Sequence, residues 1–246
     1  MAVPRHRHKQ PQALRPTHVL RAAAGTYRRR PDRVAGSALI VFAPVAVADV
    51  LAANLLESAH LGGNWSVATT VLGALIAILS AQVLVIEFYA GLLDRVVGED
   101  QYGHTAYSFG RVLRTLPWWR LFVVSVVIGA VTNLGLALLI VPGAVAFTYL
   151  SLAGPVINIE RLGVVASLRR SVSLVHGHFW LTVTCVTLPL AIEELVYELM
   201  HRFVWTESLV GAVVVEEVLA VTVIAFVGLA EVTLAHALIV DDAQGE

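Results

Sequence analysis

Charge is scarce in this chain: only 14% of its 246 residues are Asp, Glu, Lys or Arg, where a soluble domain carries about 25%. Cysteine is nearly absent as well. The single Cys185 excludes a disulfide framework and any multi-cysteine metal site. Missing too are a Walker loop, a His-Glu-x-x-His pair, a Gly-x-Ser-x-Gly elbow and a dinucleotide-type glycine pattern. These absences leave an enzyme without visible machinery. No cofactor and no catalytic residue is assigned, and the expectation is a protein without catalytic activity of its own.

What remains is apolar. Hydrophobic residues make up 57% of the chain, mean hydropathy is +0.76, and several stretches approach the roughly 18–20 apolar residues of a membrane span. We read six spans, at 34–56, 66–93, 119–141, 143–159, 178–201 and 209–240. The fold class expected is all-α: a polytopic helix bundle of six transmembrane helices with two cytoplasmic interfacial amphipathic helices. Residues 1–33 read as a basic disordered tail interrupted by Pro4, Pro11, Pro16 and Pro31, residues 34–240 as the membrane domain, and 241–246 as a short acidic tail.

Orientation follows from basic residues alone. Nine lie in residues 1–33: Arg5, Arg7, Lys9, Arg15, Arg21, Arg28, Arg29, Arg30 and Arg33. Arg95, Arg111, Arg114 and Arg120 flank the next inner loop, and Arg161, Arg169 and Arg170 the last; only Arg202 falls on the far side. Both termini are therefore expected in the cytoplasm, in a plasma membrane. The long basic leader before the first span argues for an uncleaved signal-anchor. Such a segment attracts anionic lipid headgroups, and with Tyr27 its one aromatic it offers little to nucleic acid.

The two inner loops share a pattern. In "TAYSFGRVLRTLP" (105–117) and "VVASLRRSVSLV" (164–175), apolar residues recur at helical spacing beside paired arginines. Each predicts a short helix lying in the membrane interface, the second with Val165, Leu168, Val172 and Val175 as its apolar face. Aromatic pairs, Trp118-Trp119 and Phe179-Trp180, then open the following spans. Glu160, at the exit of the fourth span, is expected to tether the second loop helix through Arg169 and Arg170.

Residues 141–180, "VPGAVAFTYLSLAGPVINIERLGVVASLRRSVSLVHGHFW", carry Pro142-Gly143, Pro155, Glu160, Arg170-Ser171, Leu174, Gly177 and Phe179-Trp180 in order. This stretch resembles the six-helix membrane domain fused to some bacterial glycerophosphodiester phosphodiesterases, and its stand-alone, mostly uncharacterised relatives. In that family a separate soluble barrel does the hydrolysis. The resemblance therefore implies a membrane component here, with no catalytic residues to carry over.

Acidic residues concentrate toward the other face. Asp49, Glu193, Glu194, Glu198, His201, Glu216 and Glu217 lie near the outer ends of spans one, five and six, forming a candidate acidic vestibule. Ionised groups at such depth face protein or water, and close carboxylates raise one another's pKa. Three functions remain open. The first is an accessory or scaffold component of a membrane complex, with a membrane-protein partner and a role in envelope or lipid processes on the resemblance alone. The second is a small transporter or permease that takes cations or protons through the vestibule. The third is a membrane metalloenzyme using Asp49, Glu198 and His201.

Overall fold

The computed structural model describes residues 14–58, 89–98, 114–203, 211, 214–215, 218 and 220–245; among them every regular element is helical. In chain order the elements are α1 (Pro16–Arg29), α2 (Pro31–Ser58), α3 (89–98), α4 (Trp118–Leu138), α5 (Ile140–Leu150), α6 (Ala153–Glu160), α7 (Val164–His176), α8 (Phe179–Thr182), α9 (Leu188–Phe203) and α10 (Ala225–Gly245). Val183–Thr187 and Ala220–Ile224 are π-helical segments, preceding α9 and α10 respectively.

Among the described residues, Ile140–Glu160 and Val221–Gln244 are long and apolar enough to cross a membrane. A third crossing is present if α7 and Phe179–Ile192, bent by 101°, count as one. Helix also covers the expected span 34–56, and the expected span 119–141 except at Leu139, where one helix ends and the next begins, whereas 66–88 and most of the first loop helix lie outside the described residues.

Proline decides where these helices depart from regularity. Pro155 has no N–H for the carbonyl of Ser151, and its ring crowds that carbonyl. The expected span 143–159 accordingly breaks at Ser151–Leu152, separating α5 from α6. Pro189 stands in the same relation to Cys185, and there the chain widens into the π-segment Val183–Thr187. The two irregular places are joined. Thr148 Oγ1 lies 2.8 Å from Thr187 Oγ1 and donates to Ala144 O at 2.7 Å, so Thr187 is the donor of the shared bond.

The N-terminal reading needs correction. Residues Pro16–Arg29, expected within a disordered tail, form a helix with Val19, Ala23 and Thr26 buried. Pro16 and Pro31 do not interrupt it. Each opens a helix, at a first-turn position whose N–H would be unpaired anyway. Tyr27 donates to the carbonyl of Val221 at 3.4 Å, while Val19 shares an apolar cluster with Leu234, Ala235 and Leu238. Helix α1 therefore runs antiparallel beside α10. Asp in place of Val19 should undock it, because burying a valine stabilises by about 1.5–3 kcal/mol. Tryptic cleavage at Arg21 and Arg28 should then accelerate about tenfold or more; an unchanged rate would mean that α1 is not held.

Helix α10 is the centre of the bundle and touches α1, α2, α6 and α7. On its α2 side, Tyr89 donates to Val34 O at 3.0 Å and packs edge-on against Phe42. Gly228 lets Leu93 and Tyr89 approach the α10 backbone.

Candidate functional site

The most connected polar group among the described residues lies where α6 and α10 end against the middle of α7. Arg161 takes a left-handed conformation (φ 56°) that stops α6 and turns the chain toward α7. The carbonyls of Arg161 and Leu162 each accept from Arg120 Nη1, at 3.3 and 3.4 Å. Across this turn, Arg170 on α7 reaches back to Glu160. Its Nε lies 3.2 Å from both carboxylate oxygens and its Nη2 3.1 Å from Oε1. Its remaining arm, Nη1, meets Asp242 of α10 at 2.6 Å. Beside it, His178 Nε2 stands 3.8 Å from Asp241 Oδ2, an ion pair when the imidazole is protonated.

One guanidinium thus joins three helices, which the planar fork of arginine permits and a lysine ammonium does not. Partial burial pulls the Arg170 pKa down, but the hydrogen bonds and charges of Glu160 and Asp242 outweigh it, for a net rise. The structure brings Glu160 and Arg170 together and leaves Arg169 exposed. Asp241 and Asp242, expected in a short tail, belong instead to the last turns of α10.

Helix α7 also seats differently from its sequence pattern. Its buried face is Ser167, Ser171, Leu174 and Val175, while Val165 and Val172 are exposed. The reason lies in the break after α5. A helix end leaves carbonyls unpaired, and Ser171 Oγ donates to one of them, Tyr149 O, at 2.7 Å. Small serines allow the close seating. The outward valines continue into Trp180, 77% exposed, as Trp119 (72% exposed) does at the start of α4.

A second ionisable pair escaped the sequence reading. Asp94 Oδ1 on α3 lies 2.8 Å from His236 Nε2 on α10, and both side chains are largely buried. Asp94 adjoins Arg95 in a segment that reads as the start of a loop, and nothing in its spacing marks a partner 142 residues away. Among the described residues, Ser125, Thr132, Asn158 and Thr233 carry buried polar atoms without a hydrogen-bond partner.

Of the acidic vestibule, Asp49 falls in α2, and Glu193, Glu194, Glu198 and His201 fall in α9. Their side chains, and Glu216 and Glu217 altogether, lie outside the described residues. Among the described residues no three His, Cys, Asp or Glu side chains are grouped to hold a metal ion.

No family model matches the chain, and no solved structure matches it. It is 31% identical over 130 residues to the UPF0259 membrane protein of Yersinia pestis (strain Pestoides F) and to that of Yersinia pseudotuberculosis serotype O:3 (strain YPIII). The match takes in 52% of this chain and 50% of each relative, so the chain spans about half the length of the curated relatives it matches. Neither name mentions a phosphodiesterase. Apolar helices of spanning length and this similarity agree: the chain is a membrane protein, similar over half its length to the UPF0259 membrane proteins.

Proposed function

We propose that this protein is a non-catalytic accessory or scaffold component of a membrane complex, with six spans and both termini in the cytoplasm of a plasma-membrane protein. The observation that carries the reading is the crosswise seating of α7. It stands at 101° to the helix that follows, pinned by Arg170 to Glu160 and Asp242. A helix so fixed presents Val165, Arg169 and Val172 as a rigid amphipathic ledge at one membrane face. The basic N-terminal segment favours anionic headgroups at that face, and a role in envelope or lipid processes rests on the resemblance of residues 141–180.

A photo-cross-linking residue in place of Val165 tests the reading in cells. A scaffold gives a discrete protein adduct that fades when Arg170 is also replaced by Ala. Adducts to lipid alone would remove it. Orientation is tested separately, in a Cys185→Ser background. A cysteine at Arg169 should resist an impermeant thiol reagent in intact cells, and one at Gly63 should react.

The buried Asp94–His236 pair favours a second reading, a small transporter or permease for cations or protons. Ionisable groups within membrane bundles commonly mark ion pathways. Cation flux in proteoliposomes, lost on Asp94→Asn, would favour transport over the scaffold.

A further inference from the structure

Helix α1 has two faces, and the bundle covers one of them. Val19, Ala23 and Thr26 are buried, while His18, Arg21, Ala24, Arg28 and Arg29 are exposed on the other side. At 3.6 residues per turn, His18, Arg21, Gly25, Arg28 and Arg29 fall within about a third of the helix circumference. Gly25 shapes this face. The Arg29 guanidinium folds back over it, 3.1 Å from where a Cβ would stand, which carries its charge toward Arg21. Arg15, also exposed, caps the start of the helix. Little offsets this charge locally. Residues 1–31 hold no Asp or Glu, and Arg15, Arg21 and Arg28 form no ion pair among the described residues.

A basic stripe on a helix in open water needs no ligand. This stripe is placed differently. Helix α1 lies beside α10, and Tyr27 bonds to Val221, where the apolar stretch Val221–Gln244 of membrane-spanning length begins. Arginines at that position are costly to leave in hydrocarbon, so polar groups of the bilayer must meet them. Lipid phosphates supply the complementary charge there, and guanidinium matches their oxygens with paired donors. A soluble polyanion has no such access to the flank of a span. On α2, the helix that follows, Leu39 and Ile40 are exposed and apolar, as contact with the acyl chains of the same lipids requires.

We propose that Arg21, Arg28 and Arg29, arranged about Gly25 on the exposed face of α1, bind the phosphates of anionic phospholipids, and that these lipids hold α1 against α10. The arginines point away from the docked face, so lipid binding and docking on α10 occur together and do not compete. This deepens the headgroup preference of the N-terminal segment by giving it a face and an effect on the fold. It stands apart from the scaffold reading, because its test uses the purified protein with no partner present.

The test compares the full chain in mixed micelles of phosphatidylglycerol and of phosphatidylcholine, at equal lipid and salt. The melting temperature should be higher by about 5–10 °C in phosphatidylglycerol. Hydrogen exchange of the amides of residues 19–27 should slow by about tenfold in the same comparison, which assigns the effect to α1. Arg21→Gln, Arg28→Gln and Arg29→Gln together should remove both effects. Arg21→Lys, Arg28→Lys and Arg29→Lys together should keep more than half of the rise, because charge is retained. If the Gln variant does not fold, the exchange comparison on the parent decides alone. A parent that melts and exchanges alike in the two lipids overturns the proposal. So does a Gln variant that keeps the full rise, which would move the lipid to another surface. A rise reproduced by inorganic phosphate in phosphatidylcholine also overturns it, since a free anion would then suffice.

Discussion

Replacing Arg170 with Ala should lower the stability of the purified protein by about 1–3 kcal/mol, the range for hydrogen bonds to charged partners. The side chains of Arg170 and Glu160 are 27% and 22% exposed, so solvent screens their pair only in part. The bond to the more exposed Asp242 contributes less. The loss exceeds that of a single surface ion pair because two carboxylates are left facing each other where one guanidinium held both. Arg170→Lys should recover less than half of it, since an ammonium cannot span both acids. A double-mutant cycle with Glu160→Ala, read by denaturant or thermal unfolding, should give a coupling of about 1 kcal/mol. Coupling near zero would mean that the pair does not hold α7. The loop 161–163 should also become more open to protease in Arg170→Ala, because the crosswise helix loses its anchor.

Gly135→Val should be more damaging still. Helices α4 and α5 form a hairpin with Leu139 as the one residue between them, and they cross where Gly135 faces Gly143. A Cβ on Gly135 would stand 2.7 Å from the Cα and 2.9 Å from the N of Gly143, both backbone atoms that no rotamer change can move. Even Gly135→Ala forces the helices apart, at the roughly 1–3 kcal/mol of an overpacked core, against which alanine's better helix propensity returns about 1 kcal/mol. Valine adds bulk at the same point. Its folded yield from membranes should collapse. Gly36→Ala is the control, since among the described residues nothing lies within 4 Å of a Cβ there, and it should match or slightly exceed the parent. Equal yields of Gly135→Val and parent would show that the close crossing does not form.

How legible all this was depends on how local each cause is. A proline acts on its own helix four residues back, so Pro155 announces the interruption near Ser151 without any knowledge of the fold. Glu160 and Arg170 lie ten residues apart across one short turn, close enough for charge and spacing to suggest their pairing. Asp242 is 72 residues from Arg170, and no local pattern points to it. The face of α7 misled for a related reason. Periodicity identifies an apolar stripe, but in a membrane the apolar stripe has two possible hosts, protein and lipid. Val165 and Val172 turn outward, and the serines turn to the bundle because a freed carbonyl at Tyr149 gives Ser171 an acceptor. Charge density misled over α1, where Arg21, Arg28 and Arg29 hide the spacing of Val19, Ala23 and Thr26 that seats the helix.

That seating has a consequence for the order of assembly. Tyr27 and Val221 are 194 residues apart, so the surface that receives α1 is made long after α1 itself. At about 5–20 residues per second, α1 waits roughly 10–40 s from its own synthesis until Val221 emerges. During that interval the flank bearing Val19 and Ala23 has α2 and, later, Val183–Thr187 beside it but lacks α10, and its arginines oppose burial in hydrocarbon. A lipid headgroup layer is the natural interim host for the part of that flank α10 will cover. Closing so long a loop at the end makes this docking slow and sensitive to anything that competes for the helix. A chain halted before α10 would therefore lose, together with the span Val221–Gln244, the site on which α1 comes to rest.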